Sequence, residues 1–329
     1  MQTVLSASLN SNGAPHIEIL EAAGFEVRIL PEDVNRFDED KLISYLHDCV
    51  AVSAGAEPYT ERVIAAAPQL RVIARTGVGY DAVDLKACDE AGIVVTTTPG
   101  VNHHAVAEQT IALLFGVALG FPELDRRVRE KQWKRMAFPR VMGSTLGLVG
   151  LGNIGQAVVT RAVGLGMKVL AVEPAPVAEF AKKWNVELTN FDDLLARSDF
   201  VSLHAPLLPE TKHMMNAKTL EKMKQGSILI NTARGGLIDE HALYDAVKSG
   251  HLRGAGLDVF EVEPLPLDSP LLELDNVLLS CHVAGLDRES WYDTFVMLAE
   301  TIVALREGRW PVECIRNLEG VTNWRWDRE

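Results

Sequence analysis

The chain has 329 residues, 47% of them hydrophobic, and a formal net charge of −13 at pH 7. That length is long for one compact core, so two domains are expected, and no apolar run reaches the ~18 residues of a membrane span, so a soluble globular protein is expected. The acidic balance disfavours nucleic acid and anionic membranes as partners, since both need basic surface, but leaves open a small anionic substrate held by a single Arg.

Residues 1–8 contain no basic segment and no sustained apolar stretch, so no secretion signal is expected. The four cysteines, Cys49, Cys88, Cys281 and Cys314, lie far apart with no Cys-x-x-Cys spacing. Isolated thiols fit a reducing cytoplasm and argue against a zinc site, and no metal is expected. The first hundred residues alternate short apolar runs, at 3–7, 26–29, 51–53, 71–74 and 93–96, with helical patterns. One helical pattern covers residues 14–23 and is closed by Gly24; another covers 60–67, with Thr60 as N-cap and Pro68 as stop. Alternating strand and helix implies a parallel sheet. The turn at residues 75–81 (RTGVGYD) follows one of these strands, where open α/β sheets bind ligands. Its glycines expose backbone N–H groups that could grip an anion, although a plain Gly-rich turn would read the same.

Residues 102–120 form a strongly apolar helical stretch, long enough to bridge two domains or to be a buried core helix. Residues 125–135 are locally basic with interspersed acids at helical spacing, the pattern of a solvated face. Next comes a buried strand at 145–149 that runs directly into Gly150-x-Gly152-x-x-Gly155 and a helical pattern over 153–165. Gly150 permits the tight turn, Gly152 lets the backbone approach a pyrophosphate, and Gly155 lets the helix pack closely on its strand. A second strand, 168–172, ends in Glu173, eighteen residues after Gly155, where a carboxylate can accept from both ribose hydroxyls of an adenosine. Strand, turn, helix, strand and acid in register point to a dinucleotide. No Lys or Arg follows Glu173 until Lys182, so NAD is expected over NADP, whose 2′-phosphate needs a cation.

Further strands are expected at 200–203, 227–230, 254–257 and 277–279, with helices near 191–197, 240–249 and 270–274, completing a doubly wound nucleotide domain from about 102 to 285. A long amphipathic helix, 288–307, then leaves it, followed by a strand at 312–315 and a tail containing Trp324 and Trp326. Three polar residues follow strands of the nucleotide domain. Arg234 stands before two glycines, where its guanidinium could meet a carboxylate bidentately, although an Arg on a turn is usually a surface residue. Glu263 and His282 follow the next two strands; a carboxylate beside a His favours its protonated form and suits proton exchange with a carbonyl oxygen, although a lone His is usually structural. Their joint position at carboxyl ends of one nucleotide-binding sheet is what raises them together.

Residues 75–84 (RTGVGYDAVD), 150–155 (GLGNIG), 204–211 (HAPLLPET), 231–239 (NTARGGLID) and 256–264 (GLDVFEVEP) resemble the D-isomer-specific 2-hydroxyacid dehydrogenase family, closest to its phosphoglycerate dehydrogenase-like members. The similarity spans nearly the whole chain. It implies two doubly wound parallel-sheet α/β domains: a Rossmann-type NAD domain, residues 102–285, and a smaller flavodoxin-like substrate domain, residues 1–101 with 286–329. It implies that Arg234 binds substrate, that His282 is the acid/base and that Glu263 supports it. Cofactor contacts carry over to Gly150, Gly152, Asn153, Ile154, Gly155 and Glu173, and to Ala205, Pro206, Thr232, Ala233, Asp258 and Gly285. Val78 and Gly79 fall beside substrate, with Val78 also beside the nicotinamide. A homodimer with a cleft that closes on the substrate is implied as well.

The chain departs from the family in places. Glu173 replaces the usual Asp, Cys281 the usual Pro before His282, and residues 284–287 the commoner small and hydroxyl residues. The loop at 52–57 (VSAGAE) carries no Arg or Lys, where phosphoglycerate dehydrogenases tend to place cations for phosphate. A small unphosphorylated 2-keto acid, such as glyoxylate or hydroxypyruvate, is therefore expected over 3-phosphohydroxypyruvate. Ser53, Gly55 and Glu57 would face it, with Arg75 or a partner subunit's basic segment at 126–135 as routes that could restore phosphate binding. The alternatives are a D-3-phosphoglycerate dehydrogenase and, in another class, an NADH-sensing binding protein similar to the family's co-repressors, against which the acidic charge counts.

Overall fold

The structure, a computed structural model, describes residues 1–8, 11–175, 177–321 and 323–327. Of the ranges read from the sequence, residues 9, 10, 322, 328 and 329 of the first domain and Pro176 in the turn after Glu173 lie outside the described residues. The chain divides into two compact units, Met1–Asn102 with Asp287–Glu329, and His103–Leu286.

The first unit is a five-stranded parallel sheet in the order β2-β1-β3-β4-β5. Its strands are β1 (Gln2–Ser6), β2 (Phe25–Ile29), β3 (Ala51–Ala54), β4 (Val72–Arg75) and β5 (Val94–Thr96). The intervening helices are α1 (Pro15–Ala22), α2 (Glu39–Leu46), α3 (Glu61–Ala65) and α4 (Leu85–Ala91). Turn chemistry starts them where the sequence changes period: Asp38, Thr60 and Asp84 each cap the next helix by accepting backbone N–H groups. One face of the sheet packs Leu5, Val52 and Ile73 under α2 to α4. The other packs Val4, Val72 and Val94 against Leu298, Ile302 and Trp326. A fully buried Leu or Ile of this kind contributes roughly 1.5–3 kcal/mol.

The second unit begins with α5 (His103–Ala118) and α6 (Phe121–Arg129). Seven parallel strands follow in the order β12-β11-β10-β9-β6-β7-β8. These are β6 (Thr145–Val149), β7 (Lys168–Val172), β8 (Glu187–Leu188), β9 (Phe200–Leu203), β10 (Ile228–Asn231), β11 (Gly254–Leu257) and β12 (Val277–Leu279). They alternate with α7 (Asn153–Gly164), α8 (Ala178–Trp184), α9 (Phe191–Arg197), α10 (Ala217–Lys222) and α11 (Glu240–Lys248). The strand order reverses between β6 and β9, so the carboxyl ends of these two strands flank the switch point at which such sheets take ligands. The chain then returns to the first unit through α12 (Arg288–Arg306), capped by Asp287. Among the described residues, no single helix is long and apolar enough to cross a membrane.

Two expectations are corrected. Residues 312–315 form no strand: only a bridge from Ile315 to Thr96 is made. Thr97 N–H donates to Cys314 O and Arg316 N–H to Val95 O, each at 2.9 Å, but Cys314 N–H turns back to Pro311 O, so the pairing does not extend toward residue 312. Beyond the bridge the Asn317 side chain accepts from Val95 N–H at 2.8 Å and donates to Ile93 O at 2.9 Å. The basic helix stops at Arg129, because Lys131 turns left-handed (φ 63°) while Gln132 N–H reaches back to Arg127. Its arginines pair with Asp275, Glu123 and Asp125, and it buries none of its residues.

Candidate active site

Each piece of the site in the second unit sits where a strand ends. After β6, Gly150 adopts φ +100°, and a Cβ there would come within 2.6 Å of the His204 carbonyl oxygen. A Cβ on Gly155 would lie 2.4 Å from the Gly150 oxygen, so α7 can approach its strand only without one. Gly152, the N-cap of α7, has open space where its Cβ would stand, and no side chain caps the helix. Open space beside Asn153, Ile154 and the uncapped first-turn N–H groups is what a pyrophosphate needs. Glu173, at the end of β7, accepts from Leu151 N–H at 2.6 Å and from Ala175 N–H at 2.9 Å, so its carboxylate lies against the same turn. The residues present therefore fit a dinucleotide.

The polar residues gather on the other side of the switch point. After β10, Asn231 folds its side chain back, donating to Arg234 O at 2.8 Å and accepting from Ala233 N–H at 3.0 Å. Thr232 shares a 2.9 Å hydroxyl contact with Thr110 of α5. The turn carrying Arg234 touches the loop carrying Glu263: a Cβ on Gly235 would fall 1.8 Å from the Phe260 carbonyl carbon, so only glycine allows this approach. Ala205 and Pro206 follow β9, where the Pro206 carbonyl accepts from the Thr211 hydroxyl at 2.7 Å.

His282 and Glu263 meet directly, with Nδ1 and Oε2 2.7 Å apart. Burial works against the Glu263 charge, but His282, the Phe260 N–H at 3.0 Å and the Arg234 charge outweigh it and hold the carboxyl below its ordinary value. With Nδ1 committed to Glu263, Nε2 is the ring nitrogen that can exchange a proton with a substrate oxygen. The side chains of His282 and Glu263 are 50% and 33% exposed, so a small molecule can reach the pair. His282 has φ 54°, uncommon for a non-glycine residue.

Asp258 explains how that conformation is held. The family resemblance implies a cofactor contact for it; in the structure it is fully buried, and its bonds go to the His282 loop. Its carboxylate accepts from the Ser280 hydroxyl at 2.5 Å, Val283 N–H at 3.0 Å and Ala284 N–H at 2.9 Å, and its carbonyl accepts from His282 N–H at 2.8 Å. Gln109 of α5 donates to the Ser280 hydroxyl at 3.1 Å, and Gly285 lies just beyond the clamped residues. The Glu263 loop has an anchor of its own: Glu261 N–H donates to Glu240 at 2.7 Å, and the Glu261 carboxylate lies 2.9 Å from His213 Nε2. Sequence reasoning missed Asn231, Ser280, Gln109, Glu261 and His213 as supports. Only Asn231 left a local signal, an Asn closing a strand just before Thr-Ala-Arg-Gly-Gly.

Val78 and Gly79 belong to the first unit. Their turn is fixed by Arg75, whose Nε donates to Gly79 O at 3.0 Å, and by Thr98, whose hydroxyl accepts Gly77 N–H at 3.0 Å. The reading of the 52–57 loop needs correction. Glu57 is fully buried, not poised to point into a cleft, and the fold brings Arg36 to within 3.7 Å of it.

Residues 111–284 match the family model for the D-isomer specific 2-hydroxyacid dehydrogenase, NAD binding domain. The chain is 44% identical over 277 residues to a glyoxylate reductase of Korarchaeum cryptofilum, covering 82% of this chain and 83% of that protein. It is 40% identical over 289 residues to a D-3-phosphoglycerate dehydrogenase of Mycobacterium leprae, covering 87% of this chain but 54% of that protein, about half its length. Among solved structures it is similar to a D-lactate dehydrogenase of Aquifex aeolicus complexed with NAD and lactic acid, at 31% identity and a TM-score of 0.83, covering 93% of this chain and 96% of the other.

Proposed function

The chain belongs to the D-isomer specific 2-hydroxyacid dehydrogenase family of NAD-dependent oxidoreductases, and on that premise we propose that it interconverts a small unphosphorylated 2-keto acid and its D-2-hydroxy acid. The observation that carries the assignment of roles is the 2.7 Å pair of His282 and Glu263, the latter on the loop that abuts the Arg234 turn. Arg234 anchors the substrate carboxylate through its guanidinium fork. His282 donates the Nε2 proton to the carbonyl oxygen in reduction and takes it back in oxidation. Glu263 keeps Nδ1 protonated and orients the ring throughout. NAD, when bound, supplies or accepts the hydride. Gly150, Gly152, Asn153, Ile154 and Gly155 would hold its pyrophosphate, and Glu173 would accept from the ribose hydroxyls. Ala205, Pro206, Thr232, Ala233 and Gly285 line the rest of its path, and Asp258 acts there through the loop it clamps. In the first unit, Val78 and Gly79 offer backbone donors to the substrate.

Glyoxylate and hydroxypyruvate are the proposed substrate type, supported by the buried Glu57 carboxylate among the arginines of the first unit. D-3-phosphoglycerate dehydrogenase activity is the second reading, favoured by the 40% identity to such an enzyme and by the presence of Arg36 and Arg75. Competition between hydroxypyruvate and 3-phosphohydroxypyruvate, with NADH in excess, decides between them. A win for the phosphorylated acid by about tenfold in kcat/KM overturns the first reading.

The enzyme is further proposed to be a cytoplasmic homodimer. Three buried free thiols, Cys49, Cys88 and Cys314, suit a reducing compartment. Phe121, Val128, Trp133 and Met136 are each exposed on or just after α6 and would be available to a second copy. Sedimentation of a monomer at micromolar concentration would exclude the dimer.

A further inference from the structure

A charge cluster, buried at Arg36 and Glu57 and half-buried at Arg75, occupies the switch point of the first unit's sheet. β1 and β3 lie side by side there, and the chain leaves them toward opposite edges, opening the crevice in which such sheets receive ligands. Arg36, 6% exposed, donates to Ala7 O at 2.5 Å just beyond the end of β1. Glu57, in the loop after β3, is fully buried; its Oε2 accepts Gly55 N–H at 2.6 Å, and its Oε1 lies 3.7 Å from Arg36 Nη1. From β4, Arg75 donates to Ala54 O at 3.1 Å and to Gly79 O at 3.0 Å. The loop is shaped around the carboxylate, since a Cβ on Gly55 would lie 2.7 Å from Glu57 Oε1. Burial raises the Glu57 carboxyl above its ordinary value, and the charges of Arg75 and Arg36 act against that rise.

We propose that Glu57 is a specificity-determining residue: its carboxylate neutralises guanidinium charge at the β1–β3 crevice and so withholds from a phosphorylated 2-keto acid the cation its phosphate requires. This deepens the substrate reading above and rests on it. A phosphate carries close to two negative charges and is recognised by charge-assisted donors. Arg36 and Arg75 without Glu57 would present two positive charges; with it they present one, already committed to the carbonyls of Ala7, Ala54 and Gly79. A buried guanidinium deprived of its carboxylate is costly, and an incoming anion relieves that cost.

The test compares kcat/KM for hydroxypyruvate and 3-phosphohydroxypyruvate, with NADH, in the wild-type chain and in Glu57→Gln, whose amide can still accept Gly55 N–H. The phosphorylated-to-unphosphorylated ratio should rise about tenfold or more, mainly through KM, and fall back when Arg36→Met is added. The wild-type ratio tests the substrate reading; its change in the variant tests Glu57, so the two fail separately. Inorganic phosphate provides a readout without turnover: it should raise the Tm of Glu57→Gln more than that of wild type. Should Glu57→Gln not fold, Arg36→Met alone should lower the ratio. An unchanged ratio in a folded variant, a gain that survives loss of Arg36, or equal stabilisation by phosphate overturns the proposal.

Discussion

At the scale of single residues, the reading assigns different work to Arg234 and His282, and their losses should differ. Arg234→Ala should raise KM steeply as well as slow turnover, because the substrate carboxylate loses its fork. His282→Ala should mainly lower kcat, by roughly 100-fold or more, because proton transfer is lost. Steady-state kinetics with a 2-keto acid and NADH separate the two patterns. Glu263 has a third role. Its carboxyl is held below its ordinary value by His282 and Arg234 against the effect of burial, so it faces the ring as an anion. In Glu263→Gln that anion is gone, and the pH profile of reduction should move to lower pH, because the general acid then gives up its proton sooner. An unshifted profile would count against the pair.

At the scale of elements, the site depends on three segments, two set against each other by their backbones and a third held by the Asp258 carboxylate. The turn after β10 and the loop after β11 touch at Gly235, where a Cβ would lie 1.8 Å from the Phe260 carbonyl carbon. Gly235→Ala must push them apart, moving Arg234 away from Glu263. A loss of about 1–3 kcal/mol in stability and a drop of about tenfold or more in kcat/KM are expected, measured by urea unfolding and kinetics. The His282 loop is held by Asp258 through Ser280, Val283 and Ala284. Asp258→Asn replaces one acceptor with a donor facing N–H groups. It should lower kcat without the pH shift of Glu263→Gln, since the His282–Glu263 contact itself is untouched.

At the scale of the whole molecule, each unit carries a histidine whose charged form burial disfavours, His16 fully buried and His204 half-buried. His16, on α1, is fully buried beside Ser6 and stacked on Phe295 at 4.6 Å; His204, after β9, lies beside Ser202. Burial lowers each from 6.5 to about 4. The unfolded chain therefore takes up protons below pH 6.5 that the folded chain refuses. The stability these groups contribute is present above 6.5 and lost as pH falls toward 4, up to roughly 3 kcal/mol per histidine. The raised carboxyls of Glu57 and Glu240 act in the opposite sense, giving stability at low pH that is lost as pH rises through the carboxylate range. Comparing wild type with His16→Gln isolates the histidine: urea midpoints between pH 7 and 4 should fall less steeply in the variant. Parallel slopes would refute the assignment.

The sequence by itself determined the alternation of strands and helices, the glycine fingerprint, the acid after β7, and the strand-end residues Arg234, Glu263 and His282. These signals are local. Period, cap and turn chemistry are written within about ten residues, and in a parallel sheet any residue just after a strand must lie at the same edge. The same local reading failed at residues 312–315, where a turn from Pro311 to Cys314 leaves only the bridge from Ile315 to Thr96, and past Arg129, where Lys131 turns the chain left-handed. Tertiary structure alone decided the contacts that give the site its geometry and charge. The Asp258 clamp joins residues 25 and 26 positions apart, and Gly235 is set against Phe260 only because β10 and β11 are neighbours in register. Arg36 stands beside Glu57 because β1 pairs with β3, skipping β2 in sheet order. A loop that reads as cation-free along the chain is thus flanked by cations in space, since pairing order brings charge from segments that no spacing rule connects.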